Sequence, residues 1–157
     1  MSRSTNLSVA TMATRSQIRA RLANMPACLI GREARRPMRN SANSTRCINE
    51  AMTTMETTKE RWCEAEINRA AGEIALTSPE RDEAKAKAYF ERALAVAREQ
   101  QAKSWELRAA ISMARLWRDQ GKRQQAHDLL APIYGWFTEG FDTLDLKEAK
   151  SLLEELA

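Results

Sequence analysis

From Ser104 to Phe137 the apolar positions recur three and four residues apart. Ile111, Ala114 and Trp117 make one stripe, and Ala126, Leu130 and Ile133 make a second. That spacing puts each set on one face of a helix. The two stripes are separated by Asp119-Gln120-Gly121-Lys122, a polar turn built around glycine. The pattern recurs upstream. Ala86, Phe90 and Ala93 precede Ala126, Leu130 and Ile133 by 40 residues each, and Ile48, Ala51 and Trp62 align with Phe90, Ala93 and Trp105. A helix pair therefore repeats about every 40 residues. The periodicity predicts helices over 44–57, 60–76, 79–101, 103–120, 123–138 and 144–156. Pro79 is expected in the first turn of its helix, where a missing N–H costs nothing. The turn Thr77-Ser78-Pro79-Glu80 before it is longer than the glycine turn of the next unit. Gly140 is expected to close the fifth helix and Asp142 to cap the last.

The alternation of small and large residues has a physical cause. Alanine at a helix crossing lets the partner approach closely, and a bulky residue one turn on fills the gap beside it. Ala114, Trp117, Gly121, Ala126 and Leu130, and in the preceding unit Gly72, Ala86, Phe90 and Ala93, resemble the tetratricopeptide repeat. The resemblance implies an all-α fold: a short solenoid of antiparallel helix hairpins. Leu146, Ala149, Leu152, Leu153 and Leu156 give the last helix a stripe suited to covering its open end. The repeat is longer than the usual period of about 34, and the tryptophans sit early. Trp62 and Trp105 are expected to pack on the preceding pair, and Trp117, Tyr134, Trp136, Phe137 and Phe141 to fill core and cap.

Charge divides the chain. Residues 1–46 hold nine Arg and one acid, Glu33; the remainder holds 16 Lys+Arg against 20 Asp+Glu. The domains expected are a basic Ser/Thr/Arg-rich tail over 1–43, disordered or foreign to the native protein, and a repeat domain over 44–157. An organelle transit peptide or a nucleic-acid-binding arm fits the same composition. The repeat domain begins in mid-unit, as a fragment of a longer array or a partial copy would. Cys28, Cys47 and Cys63 lack the close spacing of a zinc site and read as free thiols in a reducing cytoplasm. No apolar run approaches the roughly 20 residues of a membrane span.

The stretches "AKSWELRAA", "ARLWRDQGK" and "APIYGWFTEGFDTLDLKEAK" carry a closer resemblance. They are similar to the C-terminal repeat region of bacterial multidomain proteins that join a class III adenylate/guanylate cyclase domain, or a DNA-binding regulator domain, to an ATPase module. The match begins near Arg46. In that family the catalytic aspartates and the phosphate-cradling GxxxxGK[ST] loop lie in other domains, and neither motif occurs here. His127 is the single histidine and reads as a rim residue. The expectation is a non-enzymatic chain without metal or cofactor.

Solenoids of this kind bind partners on the face lined by first helices. The positions expected there are Glu66, Arg69 and Glu73 in one unit and Arg108, Ile111, Arg115 and Arg118 in the next. Two readings follow. An arginine-lined groove would grip an acidic segment of a partner protein or of a parent chain. Alternatively Glu66 and Glu73 pair with Arg108 and Arg115 in register, and the charges satisfy one another. The register favours the second. The expected function is a protein-interaction or scaffolding module; nucleic-acid binding through the basic arm is the alternative.

Overall fold

The computed structural model describes residues 41–59 and 61–157, with side chains from Thr45 onward. These residues form six helices and no strand: α1 (Ser41–Thr58), α2 (Glu64–Thr77), α3 (Glu83–Glu99), α4 (Lys103–Asp119), α5 (Arg123–Tyr134) and α6 (Leu144–Leu156). Most of the expected tail lies outside the described residues, but Ser41, Ala42 and Asn43, assigned to it from sequence, already belong to α1. By its internal contacts the chain divides into two units between Arg61 and Trp62.

The first unit contributes α1. Its buried positions Ile48, Ala51 and Met55 fall on one stripe. On the exposed side Thr53, Thr54 and Thr57 each donate a hydroxyl to the carbonyl four residues back. Their branched side chains are thereby satisfied within the helix.

The second unit contains α2 to α6. Each helix packs on the next, and α4 also touches α2 and α6. One apolar cluster runs through the unit from Ala75 to Leu156. The residues in the 40-residue correspondence are all inside it: Ala86, Phe90, Ala93, Ala126 and Leu130 have no exposed surface, and Ile133 is nearly covered. Gly72 meets the Phe90 ring so closely that an added Cβ would lie within 3 Å of three ring carbons. Trp105 packs on a smaller cluster of Ala65, Val96 and Ala97, with Trp62 6.3 Å away centroid to centroid.

Several boundaries depart from the sequence expectation. Pro79 is exposed in the loop, and α3 begins only after Asp82. Asp82 makes the better start: its carboxylate accepts the Lys85 N–H at 2.9 Å, while its own N–H reaches back to the Ala75 carbonyl. Helix α5 ends at Tyr134 with Gly135 as its cap, one turn before the expected end. The cap of α6 is Thr143, not Asp142, and its hydroxyl donates to the Gly140 carbonyl at 2.7 Å. The aromatic residues divide as well. Trp117, Tyr134 and Phe137 pack against the core but stay partly exposed, and Trp136 and Phe141 are outside it. Trp117 is therefore not the core residue its spacing suggested; Leu116 is buried beside it.

The turns leading out of α3 and α4 are alike. In each, the residue after the C-cap has positive φ: Gln101 at 54° and Gly121 at 76°. The Lys122 N–H then reaches the Trp117 carbonyl at 2.8 Å, and the Ala102 N–H reaches the Ala97 carbonyl at 2.9 Å. This is the Schellman closure, which suits glycine. A glutamine in the left-handed region is strained by about 1–2 kcal/mol. Gln101→Gly is therefore expected to raise stability by about 0.5 kcal/mol in urea melts, part of the relief being offset by a more flexible unfolded chain.

Glu106 ties this turn to α4. Its carboxylate accepts from Arg98 Nε at 2.8 Å and from Lys103 Nζ at 2.7 Å. Burial alone pushes the Glu106 carboxyl up, but the hydrogen bonds and charges of Lys103 and Arg98 outweigh it and leave the group below the usual range. A depressed folded-state pKa means the contribution is complete above the ordinary glutamate pKa and is lost as pH falls through the lower value. Glu106→Gln should make the acid limb of the stability–pH curve shallower below about pH 4.5, relative to the parent, in thermal melts.

Candidate functional site

The charged face suggested by sequence is formed by α2, α4 and α6. The three helices run in the same direction, because contacts advance together along each pair: Glu66 with Arg108 and Glu73 with Ser112, then Arg108 with Asp145 and Arg118 with Glu155. Arg69 lies at the α2 edge of this face. Its Nε and Nη2 engage both oxygens of Glu66 at 3.0 and 2.8 Å, and Nη1 approaches Glu73 and Ser112 Oγ at 3.4 Å. The Ser112 hydroxyl donates to Glu73 at 2.6 Å. Burial pushes the Arg69 guanidinium down, but the hydrogen bonds it donates to Glu66 and the charges of Glu66, Glu73 and Asp145 push it further up.

Arg108 bridges outward, 3.2 Å from Glu66 and 3.9 Å from Asp145. Arg115 pairs with Glu148. Burial draws the Arg115 guanidinium below its ordinary value, and the like charges of Arg118 and Arg69 add to this against Glu73 and Asp119. Arg118 donates to Asp119 and, at 2.9 Å, to Glu155. The hydrogen bond to Asp119 is the main reason its guanidinium is held above the ordinary value.

The sequence expectation is met in part. Glu66 and Arg108 pair in register as expected. Glu73 and Arg115 do not pair directly, since Glu73 is taken by Arg69 and Ser112 and Arg115 by Glu148. Ile111 does not line the face: it is 3% exposed and belongs to the apolar cluster of the core. Arg69, at 8% exposed, is covered rather than presented. Sequence reasoning missed Asp145, Glu148 and Glu155. Their signal was present, since all three fall beside the buried stripe Leu146, Ala149, Leu152 and Leu156 and oppose the arginines of α4 in sign.

The face is thus an ion-pair ladder across three helices, and each arginine of α4 already holds a carboxylate. It has no open set of guanidiniums for an incoming anion. A second feature is a shallow cleft lined by Lys87, Trp117, Lys122, Gln125, Asp128 and Leu129. His127 stands beside it with Nδ1 3.8 Å from the Asp128 carboxylate, beyond hydrogen-bonding reach. Among the described residues no group of three or more His, Cys, Asp or Glu is placed to hold a metal ion. Among them, too, no helix is long and apolar enough to cross a membrane. Neither a protein-family model, nor a curated protein, nor a solved structure matches the chain.

Proposed function

We propose that residues 44–157 are a tetratricopeptide-like helical repeat that serves as a protein-interaction or scaffolding module in the cytoplasm and has no catalytic role of its own. The observation that carries this reading is the burial of the repeated small and large positions. Ala86 and Ala126, 40 residues apart, have no exposed surface, and Phe90 and Leu130 are covered one turn later in each second helix. Helices that bury one another in sequence leave their surfaces to partners. The resemblance of "AKSWELRAA" and "ARLWRDQGK" to the repeat region of cyclase–ATPase signalling proteins supports the same reading, with other domains of such a parent as candidate partners. Two measurements test it. The purified full chain with ATP, GTP and magnesium or manganese should yield neither cyclic nucleotide nor free phosphate. Photoreactive residues at Gln125, Trp136 and Ser151 of the full chain should give discrete protein adducts in cells from at least one position. Nucleotide turnover, or no adduct from any of the three, would overturn the module.

The nine arginines and single acid of residues 1–46 favour a second reading, nucleic-acid binding through a basic arm. A mobility-shift assay at several salt concentrations, with and without residues 1–46, separates the two. Binding lost with the deletion supports the arm, and no binding by either protein removes it.

A further inference from the structure

Among the described residues three large apolar side chains are exposed: Trp136 at 58%, Leu144 at 50% and Phe141 at 46%. All lie within nine residues, in the connection from α5 to the first residue of α6. Scattered exposed apolar residues are ordinary, but their confinement to one short stretch is not. The stretch is held in place. Phe137 packs edge-on against Trp136 at 5.2 Å, and Tyr134 packs on Phe141 at 5.8 Å. Tyr134 and Phe137 in turn rest on the core. The rings of Trp136 and Phe141 are presented from a fixed base.

The charge of the stretch is one-sided. From Gly135 to Leu146 it holds Glu139, Asp142 and Asp145 and no Lys or Arg. Asp145 is engaged by Arg108, whereas Glu139 and Asp142 are exposed and make no ion pair within 4.0 Å among the described residues. The Trp136 ring already draws one cation of the chain, Lys103 Nζ, at 5.7 Å from its centroid. Aromatic faces next to unpaired carboxylates complement a guanidinium that stacks and pairs at once. A second copy of this chain is the poorer occupant, because a two-fold contact would bring together two patches of the same negative sign.

We infer that the α5–α6 connection is a docking surface for an arginine-bearing amphipathic segment of a partner protein. Its apolar side chains cover Phe141 and Leu144, and its arginines meet Trp136, Glu139 and Asp142. The inference rests on the interaction-module reading and names its surface. It is tested with the full chain and a fluorescein-labelled 18-residue helical peptide carrying Leu on one face and Arg on the other, by anisotropy at 0.15 M salt; a second peptide carries Glu for Arg. The Arg peptide should bind. Trp136→Ser with Phe141→Ser should weaken it at least tenfold, and so should Glu139→Lys with Asp142→Lys. Urea midpoints should barely move, since these side chains are exposed. The Glu peptide should respond to neither serine substitution. The inference is overturned by no binding of the Arg peptide, by binding unchanged in either double variant, or by a concentration-dependent dimer in sedimentation that the serine variant abolishes. Failure here together with adducts from Gln125 or Ser151 leaves the module intact; failure of all adducts removes the module itself.

Discussion

Phe90→Ala is expected to lower stability by about 3–5 kcal/mol in urea melts, the range for removing a buried aromatic side chain from a packed core. Phe90 is the largest side chain without exposed surface among the described residues. What surrounds it argues against relaxation into the space left behind. Ala86 and Ala93 flank it on α3, and Gly72 of α2 lies against the ring. Small residues cannot extend into a cavity, so the lost contacts stay lost. Gly72 provides the complementary test. In an exposed helix Gly→Ala gains about 1 kcal/mol from propensity. Here the new methyl would overlap the Phe90 ring, and overpacking of that kind costs about 1–3 kcal/mol. Gly72→Ala should therefore destabilise on its own. Combined with Phe90→Leu, which clears the space, it should become neutral or favourable. The double-mutant cycle should return a coupling of about 1–2 kcal/mol between α2 and α3. A cycle that closes to zero would mean that the two helices do not meet at this point in solution.

The same pair explains why so much of the fold was legible. Gly72 aligns with Ala114 and Phe90 with Leu130, so the unit with the larger second-helix residue carries the smaller first-helix residue. That compensation is local and periodic, and periodic features can be read without knowing the fold. The helix α6 was legible to the residue for the same reason. Features set by competition between neighbours were not. Pro79 is an acceptable helix start, but Asp82 three residues later offers a side-chain acceptor, and the chain uses the stronger cap. The aromatic run after Tyr134 has helical spacing, but Gly135 ends the helix and turns Trp136 outward. On the charged face, residue sign and helix face were readable, whereas partner choice was not. Glu73 is held by Arg69 one turn back on α2 and by the Ser112 hydroxyl of α4, while Arg115 takes Glu148 instead.

That selection makes Arg69 the most consequential charge in the second unit. Arg69→Ala is expected to cost about 2–4 kcal/mol, somewhat under the roughly 3–5 kcal/mol of a wholly buried pair, because Glu66 and Glu73 keep some contact with water. Most of the loss should come from the carboxylates left behind rather than from the missing attraction. Glu66 retains Arg108 at 3.2 Å, but Glu73 retains only the Ser112 hydroxyl among its hydrogen-bonding partners. Neutralising the stranded group should therefore rescue: Arg69→Ala with Glu73→Gln should recover about 1–2 kcal/mol, and Arg69→Ala with Glu66→Gln less. Raising salt from 0.1 to 1 M should change the single-variant penalty little, since screening acts weakly on covered charges. Denaturant melts of the three proteins at both salt concentrations decide the matter. Equal rescue by the two glutamines would assign the penalty to the packing of the arginine stem between α2 and α4, and a salt-sensitive penalty would mean that the Arg69 network opens to solvent.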